Sequence, residues 1–400
     1  MNTVAIGDSN LKIADGNYSA KYPRSEEFVS EGVPFIRGNN FENKSISDKN
    51  MYFISPEKHS ELKKGHVKPK DVLITTRGNI GKVALVPERH DDSNINSQLV
   101  LLRCNEGWHP EYLLHTFNSK FVTRQIPALI TGSALKQLSV KNLKKLKIPL
   151  PPLDQQKKIA AILDAADAYR QKTKALIEKY DELTQSLFLD MFGDPVTNPK
   201  GWEVNFLEQI TSKIGSGATP RGGKQAYKKE GISLIRSMNV YDNRFKYKNL
   251  AFIDEVQAAK LKNVIVEKGD VLFNITGASI CRSSVVPDDV LPARVNQHVS
   301  ILRPIKSIIT SKFLSRFLIS ENVKTKLLGV GSGGGAVMEA ITKEQLQSIE
   351  VIKPPLELQN EFSKRVQAIE AQKAQTQASL AGAEDLFNSL LQRAFKGKLV

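Results

Sequence analysis

The chain has 400 residues, of which 40% are hydrophobic and 25% charged, the composition of a folded protein with room for two or three domains. Its net charge of +15 favours a polyanionic partner. Two cysteines exclude a disulfide framework, no apolar run approaches the ~18 residues of a membrane span, and the start, MNTVAIGDSN, shows no signal-peptide pattern. We therefore expect a cytoplasmic protein that contacts no membrane, with both cysteines as small buried residues.

The first 150 or so residues predict a mixed α/β block. Runs rich in Val, Ile and Leu indicate three strands, at 71–76, 82–87 and 99–104. A helical pattern follows at 110–126, and Ser139 is placed to cap a short helix. Pro151 and Pro152 then stop a strand and fix the direction in which a long helical pattern, 154–194, begins.

The same order of elements returns further along the chain. The offset is 199 residues between Gly32 and Gly231 and 203 between Pro151 and Pro354, which indicates duplication with small loop insertions. A period this long predicts two domains in tandem rather than a solenoid. The most similar stretches are GVPFIRGNNF (32–41) with GISLIRSMNV (231–240), INSQLVLLR (95–103) with VNQHVSILR (295–303), and the block exits LKIPLPPLDQQKKIAAIL (146–163) with VIKPPLELQNEF (351–362).

The second copy adds two local predictions. Residues 198–230 have only a weak counterpart in residues 1–31, so the first copy is expected to be shortened at its start. Thr342 and Gln345 have the spacing of a capping box, which predicts the start of the short helix before the second block exit.

Charge is distributed unevenly between the blocks and the long helical patterns. Residues 154–194 carry 8 acidic and 6 basic side chains, and residues 356–400 carry 5 and 6. These two segments sum to −1, so the remaining residues carry +16. Such a distribution predicts that the blocks contact nucleic acid and that the helices contact protein.

Alternating spacings of three and four residues predict an a/d seam on each long helix, and the two helices are expected to pair as a coiled coil that holds the blocks apart. Thr173, Lys373 and Thr376 are polar interruptions of this seam. The predicted apolar seam positions are Ile162, Ala166, Tyr169, Leu176, Tyr180, Leu183 and Leu187 on the first helix, and Phe362, Val366, Ile369, Leu380 and Leu390 on the second.

This organisation resembles the specificity subunits of type I restriction–modification systems. The resemblance rests on the tandem blocks, the strands that begin Asp-Val-Leu, the two block exits and the closing LLQRAFKGKL. It implies an α+β fold in which two α/β target-recognition domains in tandem are separated by two long antiparallel coiled-coil helices, with pseudo-twofold symmetry. The implied boundaries are 1–152 for target-recognition domain 1, 153–194 for helical spacer 1, 195–355 for target-recognition domain 2 and 356–400 for helical spacer 2.

The resemblance also implies a function and partners. Each recognition domain would read one half of an asymmetric, bipartite site on double-stranded DNA. The helices would set the spacing and dock two modification (methyltransferase) subunits, after which restriction (translocase–nuclease) subunits would join. S-adenosylmethionine, ATP and Mg²⁺ are expected on those partner subunits, and no cofactor is expected on this chain.

No catalytic site and no metal site is predicted from the sequence. The Pro-Pro pairs lack the flanking amide and aromatic groups of an adenine methyltransferase, the glycine-rich run 216–225 lacks the Ser/Thr ligand of a phosphate loop, and the six histidines show no metal-ligand spacing. Two alternatives stay open: a stand-alone nuclease or methyltransferase, and a coiled-coil scaffold that binds protein without reading DNA. RNA is also compatible with the charge, although no aromatic stacking cluster is evident.

Candidate DNA contacts lie in loops that contain glycine, where backbone N–H groups can approach phosphates. Two such loops occupy equivalent places in the two copies and differ in side chains, as expected of readers of different half-sites. An Arg/Asn pair precedes each loop, and Arg with guanine and Asn with adenine are common bidentate pairs. The predicted contacts are Arg37, Asn39, Arg77, Gly78, Asn79 and Lys82 in the first copy and Arg236, Asn239, Thr276, Gly277, Ser279 and Arg282 in the second.

Overall fold

The computed structural model describes residues 2–16, 20–331 and 340–399, and the chain divides into two compact units. Unit 1 comprises Met1–Ala175 and Gln377–Val400, and unit 2 comprises Leu176–Thr376. Two long helices, Leu153–Phe192 and Leu356–Ala394, contribute residues to both units. Within the described ranges, no helix combines the length and apolar character needed to cross a membrane.

Unit 1 contains two four-stranded sheets. In the first sheet all neighbours are antiparallel; its strands, in spatial order, are Lys12–Asp15, Leu99–Arg103, Val72–Thr75 and Val83–Leu85. The second sheet has one parallel pair, between its first two strands; its order is Asn94–Ile95, Val33–Ile36, Tyr52–Ile54 and Phe28–Val29. Two short pairs complete the strands of the unit: Thr3–Ala5 with Lys147–Pro149 and Phe41–Glu42 with Ser45–Ile46.

Unit 2 repeats the antiparallel sheet, and its mixed sheet keeps three equivalent strands but has its fourth strand on the opposite edge. Its antiparallel sheet has the order Thr211–Ser216, Val299–Pro304, Val271–Asn274 and Ser283–Val285. Its mixed sheet has the order Ala251–Ile253, Ile232–Ile235, Ala293–Val295 and Ile265–Val266. The short pairs are Glu203–Phe206 with Glu350–Lys353 and Val240–Tyr241 with Arg244–Phe245.

Short helices connect and cover the sheets. Their α-helices are Pro56–Glu61, Pro110–Asn118, Lys120–Thr123, Ile126–Leu129 and Val140–Leu143 in unit 1, and Leu207–Ile210, Glu255–Ala259, Ser311–Ile319, Glu321–Gly331 and Lys343–Gln347 in unit 2. The 3₁₀ helices are Ser25–Glu27, Gly38–Asn40, Glu88–His90, Gly223–Ala226, Ser237–Asn239, Lys262–Val264, Gly277–Ser279 and Asp288–Val290. The prediction of two α/β blocks in tandem with two long helices is confirmed. The predicted domain boundaries stay a prediction, because the compact units divide within the long helices rather than at their ends.

The strand that opens the second copy has a counterpart in the first copy. Thr3–Ala5 pairs with Lys147–Pro149 just as Glu203–Phe206 pairs with Glu350–Lys353. The Ile6 N–H then donates to Leu146 O at 2.9 Å, as the Leu207 N–H donates to Ile349 O at 2.8 Å. The expectation of a shortened start was wrong, because short edge strands with unlike side chains keep the same backbone pairing.

The predicted caps are confirmed, and the predicted helix 110–126 is broken. Thr342 Oγ1 accepts from the Gln345 N–H at 3.2 Å while Gln345 Oε1 accepts from the Thr342 N–H at 2.8 Å. Ser139 Oγ accepts from Asn142 at 3.2 Å. Ser119 adopts extended backbone angles and caps the next helix through its side chain, so one helical pattern becomes separate short helices.

A buried glutamine fixes the start of the first long helix. Gln156 is fully buried. Its Oε1 accepts from the His109 N–H at 3.0 Å, while its Nε2 donates to Gly107 O at 2.8 Å and to Pro151 O at 2.9 Å. One buried side chain therefore hydrogen-bonds three backbone groups of the preceding block, and it does so from the first turn of the helix.

Gln359 repeats this anchor in unit 2 and is also fully buried. Its Oε1 accepts from Thr310 at 2.9 Å, and its Nε2 donates to Ile308 O at 3.1 Å and Pro354 O at 2.9 Å. The block exit thus occurs twice in the sequence because both long helices begin against their own block through the same three hydrogen bonds.

We predict that Gln156→Ala destabilises unit 1 by about 2–4 kcal/mol, since it leaves buried backbone groups without partners. Gln359→Ala should have the same effect on unit 2. The chain has two tryptophans, and Trp108 lies in unit 1 and Trp202 in unit 2. Urea unfolding followed by fluorescence in single-tryptophan chains, Trp202→Phe or Trp108→Phe, therefore reports each unit separately.

Gln155→Ala and Asn360→Ala are the matched controls, because these neighbours are exposed on the same helical turns. Equal losses of stability in control and test variants would show that the buried amides do not anchor the helices.

Candidate nucleic-acid interface

Each unit presents one glycine-containing turn on the same backbone platform. In unit 1 the turn joins Val72–Thr75 to Val83–Leu85, and in unit 2 it joins Val271–Asn274 to Ser283–Val285. The strand ends are held alike: Thr75 N–H donates to Lys82 O, and Asn274 N–H to Arg282 O, both at 2.9 Å. Eight positions separate Asn274 from Arg282 and seven separate Thr75 from Lys82, so the unit 2 turn is one residue longer.

Gly78 and Gly277 occupy equivalent places near the start of the two turns. Their φ angles are 68° and 72°, the left-handed region that glycine adopts without strain. A Cβ added at either position would meet no atom within 4 Å. Backbone conformation, and not crowding by the protein, therefore selects glycine, and the open space allows a ligand to approach the backbone.

The unit 1 turn is exposed and internally fixed. Arg77, Gly78, Asn79 and Lys82 are all exposed. Thr75 Oγ1 donates to Asn79 O at 2.5 Å and accepts from the Lys82 N–H at 3.0 Å. The structure therefore brings the four predicted residues of this turn together on a rigid loop, as preorganised recognition requires.

A second exposed segment, residues 131–137, lies beside the Arg77 turn. Arg77 and Gln137 form a backbone bridge, and Arg77 Nε donates to Gln137 Oε1 at 3.1 Å. Leu135 within this segment is 84% exposed, and Lys136 is exposed next to it. No local pattern predicts this contact, because Arg77 and Gln137 are sixty residues apart in the sequence.

The unit 2 turn has a different chemistry at the position of Arg77. Thr276 Oγ1 lies 2.6 Å from His298 Nδ1, and His298 Nε2 lies 3.1 Å from Gln297 Nε2. The amide nitrogen of Gln297 can only donate, so the proton of His298 lies on Nδ1 and is donated to Thr276. The Thr276 hydroxyl thus accepts from inside the unit and retains its own proton for donation, while Gly277 and Ser279 beside it are half-buried.

Arg282 lies in a different environment from the rest of its predicted group. Its guanidinium lies 4.5 Å from the centroid of Tyr241, a ring that Arg244 and Lys246 also approach at 5.2 Å. A hydrogen bond from Lys246 lowers the pKa of the Tyr241 hydroxyl. Arg282 therefore packs within a basic cluster around Tyr241 instead of joining Thr276 and Ser279 at the exposed turn.

This cluster borders a cavity of about 650 Å³ in unit 2. Asp181 and Lys373 of the long helices line it together with Arg282. Arg316 also lines the cavity, and its burial lowers the pKa of its guanidinium to about 10, so it stays charged at neutral pH. The cavity is therefore a polar, charged space of unit 2 and differs in character from the exposed turn.

Most side chains of the two predicted Arg/Asn pairs, Arg37/Asn39 and Arg236/Asn239, make contacts within their own unit. Asn239 is fully buried; its Oδ1 accepts from the Arg236 N–H at 3.1 Å and its Nδ2 donates to Lys246 O at 2.8 Å. Its equivalent in unit 1 is Asn40, which binds Arg37 and Lys49 in the same way, and not the exposed Asn39. The prediction of Asn239 as a base contact was wrong, because its amide closes a 3₁₀ turn.

The arginines of these pairs also have partners within their units. Arg37 donates to Asn50 O at 2.9 Å and stacks 3.3 Å from the centroid of Tyr52. Arg236 donates to Asn249 O and lies 5.2 Å from the centroid of Tyr227. Both guanidiniums are half-buried, so they fix the loops that carry them.

Neither cysteine has the environment of a reactive thiol. Burial raises the pKa of Cys104 to about 12 and that of Cys281 to about 11. Both thiols are therefore protonated at neutral pH, which disfavours their use as nucleophiles.

The paired long helices form the second candidate contact region. In unit 2, Phe188 packs on Phe362 with ring centroids 5.6 Å apart, and Asp181 pairs with Lys373 at 2.5 Å. Partner numbers fall along the second helix as they rise along the first, so the helices are antiparallel here. In unit 1, Leu163 and Phe387 belong to one hydrophobic core.

The predicted seam fits the second helix better than the first. Phe362, Val366, Ile369, Leu380 and Leu390 are buried or half-buried, and so are Ile162, Ala166, Tyr180 and Leu187. Tyr169, Leu176 and Leu183 are 55%, 43% and 50% exposed, so their assignment to the seam was wrong.

The residue that follows each of these three positions is less exposed. Arg170 and Ile177 are half-buried, and Thr184 is buried. Thr184 is 2% exposed and satisfies its hydroxyl by donating to Tyr180 O at 2.8 Å. At this position the apolar neighbour Leu183 was predicted to lie in the seam instead. A helix can bury a Thr because its hydroxyl donates to a carbonyl of the preceding turn.

Comparison with known proteins gives a consistent result for both copies. The family model described as "Type I restriction modification DNA specificity domain" matches residues 12–180 and 199–382. The chain is 28% identical to a putative type I restriction enzyme MjaX specificity subunit of Methanocaldococcus jannaschii, over 85% of this chain and 80% of that protein. It is 25% identical to the type I restriction enzyme EcoBI specificity subunit of Escherichia coli, over 94% and 82%.

Two solved structures share the fold. A type I restriction–modification S subunit from M. genitalium superposes with a TM-score of 0.58 at 16% identity, covering 98% of this chain and 96% of that chain. A chain from a structure described as concerning complex assembly and conformational transition of the type I R-M system gives 0.60 at 21% identity, covering 100% and 98%.

The corrected seam makes a testable distinction between adjacent residues of the first helix. Thr184→Asp should destabilise unit 2 by about 2–4 kcal/mol, because it places a carboxylate in a buried position. Leu183→Asp should change the stability by no more than about 0.5 kcal/mol. Urea unfolding with Trp202 fluorescence would measure both, and a larger loss for Leu183→Asp would restore the seam predicted from the sequence.

Proposed function

The chain belongs to the family of type I restriction–modification DNA specificity domains, and on this premise we propose that it is the subunit that selects the DNA site of a type I restriction–modification complex. The observation that carries this proposal is the family match to both copies, each of which has the same backbone platform and a different glycine-containing turn. A basic excess confined to the blocks supports DNA as the polyanion.

Each unit would read one half of a bipartite site on double-stranded DNA. The two turns share their strand ends but differ in length and in the residue at the first turn position, Arg77 or Thr276. A planar guanidinium favours the O6 and N7 acceptors of guanine, whereas a hydroxyl can form hydrogen bonds with a wider range of base edges. Two unlike readers on one scaffold therefore favour an asymmetric site.

Within the turns, we assign different tasks to side chains and backbone. Arg77, Asn79 and Thr276 are the proposed base contacts, whereas Gly78, Gly277, Lys82 and Ser279 would position phosphates. Asn39 is a further candidate because it is exposed. Arg37, Arg236 and Asn239 support the loops, and Arg282 would meet DNA only by leaving Tyr241.

The long helices would contact the partner subunits and set the gap between the two half-sites. Leu176, Leu183 and Leu189 stay 42–50% exposed on the first helix, so they are available to a protein partner. We propose that two modification (methyltransferase) subunits dock on the helices and that restriction (translocase–nuclease) subunits join this complex. S-adenosylmethionine, ATP and Mg²⁺ would then be bound by those partners, and this chain would catalyse no reaction by itself.

The decisive experiment is co-expression of the chain with the methyltransferase gene of its own locus, followed by methylation mapping of plasmid DNA. The proposal predicts methylation at one bipartite sequence, present only when both proteins are made. Methylation by the chain alone would favour a stand-alone enzyme. Binding of the chain to the methyltransferase without methylation of any specific DNA sequence would favour a scaffold.

We predict that Arg77→Ala relaxes the base preference of one half-site, with a loss of about 1–3 kcal/mol in discrimination. Thr276→Val, which removes a hydroxyl at nearly constant volume, should relax the other half-site by about 1 kcal/mol. Methylation mapping with each variant gives both preferences. Arg365→Ala removes the same charge from a long helix and serves as the control. Uniform weakening of all sites would assign Arg77 to phosphate contact.

A duplication of residues 184–187 tests the spacing role of the helices. Four residues add about 6 Å along a helix and rotate it by about 40°, which nearly preserves the seam. Since a base pair spans about 3.4 Å, both half-sequences should be retained with one or two base pairs added to the gap. A two-residue insertion, which rotates the seam by about 200°, is the control and should abolish assembly. An unchanged gap after the duplication would reject the spacing role.

A further inference from the structure

Three side chains capable of binding a metal meet in unit 1. His59 lies on the helix Pro56–Glu61, His66 lies in the loop after that helix, and Asp92 precedes the strand Asn94–Ile95. His59 Nε2 is 3.2 Å from Asp92 Oδ2, and His66 Nδ1 is 3.1 Å from Asp92 Oδ1. One ligand atom from each residue can be chosen such that all three lie within 4.8 Å of one another.

The other nitrogen of each imidazole fixes its tautomer. His66 Nε2 contacts the backbone carbonyl oxygen of Leu62, which can only accept, so this nitrogen carries a proton. His59 Nδ1 lies 2.5 Å from Oδ1 of the fully buried Asn94, which is likewise an acceptor. The neutral rings therefore point the lone pairs of His59 Nε2 and His66 Nδ1 at a carboxylate.

Three acceptors facing one another require positive charge between them. Protonating both rings would place two imidazolium ions with ring centroids 4.5 Å apart, which Coulomb repulsion disfavours. A single divalent cation satisfies all three lone pairs at once. We propose that His59, His66 and Asp92 bind one divalent transition-metal ion, with Zn²⁺ as the fitting species.

The existing distances suit zinc coordination. Bonds of about 2.0–2.1 Å in a tetrahedral arrangement place ligand atoms roughly 3.3 Å apart, close to the two separations from Asp92. The two imidazoles face different oxygens of Asp92, and the three ligand atoms lie within 4.8 Å of one another, so coordination requires a closure of at most ~1.5 Å. Two imidazoles and one carboxylate leave the fourth position to water, and Asn94 and Leu62 orient the rings as second partners of zinc ligands commonly do.

The metal would fasten the loop after the helix to the neighbouring strand. His66 and Asn94 already form a backbone bridge, and the Ile95 N–H donates to Gly65 O at 2.9 Å. Lys63, Lys64 and Lys68 border the adjacent surface with His66 and Asp92, and their charges oppose a cation. We therefore infer a structural clip of moderate affinity rather than a catalytic centre.

Unit 2 lacks this cluster. Ala258 holds the position of His59, four residues after the cap of the equivalent helix, and Pro292 holds the position of Asp92, two residues before the equivalent strand position Arg294. The proposal therefore requires one metal ion per chain and not two.

The test is titration of the purified, metal-free full chain with Zn²⁺ by calorimetry, and with Co²⁺ by visible absorption. We expect one Zn²⁺ per chain, the d–d bands of a tetrahedral Co²⁺ complex, and a rise in the thermal midpoint of unit 1 measured with Trp108 in a Trp202→Phe chain. His59→Ala, His66→Ala and Asp92→Asn should each weaken Zn²⁺ binding by about 10-fold or more.

His109→Ala is the matched control, because His109 contacts a single carboxylate, that of Glu111 at 3.2 Å, and should leave Zn²⁺ binding unchanged. Near-UV circular dichroism would establish that each variant is folded, and the highly exposed Asp92 tolerates its substitution best. The proposal is overturned if the wild-type chain binds no Zn²⁺, or if the triple variant binds it with the same affinity and stoichiometry.

Discussion

The architecture depends on one buried interaction that occurs twice, the glutamine side chain that ties each long helix to its block. Gln156 and Gln359 are fully buried and each hydrogen-bonds three backbone groups, in the first turn after the Pro-Pro stop. A helix of 40 or 39 residues would otherwise hinge about its first turn. The hydrogen bonds of the glutamine thus fix the direction in which each long helix leaves its own block.

A second interaction that both units contain stabilises each antiparallel sheet independently of the turn proposed to contact DNA. Asp71 and Asp270, both almost fully buried, bind Arg103 and Arg303 through two hydrogen bonds each, at 2.7–2.9 Å. These pairs connect the two inner strands of each antiparallel sheet at the end away from the glycine-containing turn. Each Asp directly precedes its strand, Arg103 is the last residue of its strand, and Arg303 is the last but one. The turns can therefore vary in length and side chain without loss of the sheet that carries them.

Much of this fold could be predicted from the sequence, since caps, strands and the Pro-Pro exits are local signals. The second helix was predicted well because apolar residues occupy its buried positions. The first helix was not, since Thr184 and Arg170 lie at its seam while Leu183 and Tyr169 are exposed. The Arg-x-Asn spacing also paired Asn39 with Asn239, whereas the offset of 199 residues and the shared hydrogen bonds both identify Asn40 as the equivalent.

Contacts between segments that are distant in the sequence could not be predicted from local signals. These contacts are where the two copies differ most. Arg77 meets Gln137, Thr276 meets His298, and His59 meets Asp92, each across a separation that carries no spacing signal. Duplication supplies similar backbones, so divergence is least costly where side chains contact solvent or one another at loop ends. The same argument explains how unit 1 could acquire a metal-binding cluster while unit 2 keeps alanine and proline there. A clip that stabilises one copy alone leaves the hydrogen bonds common to both copies unchanged.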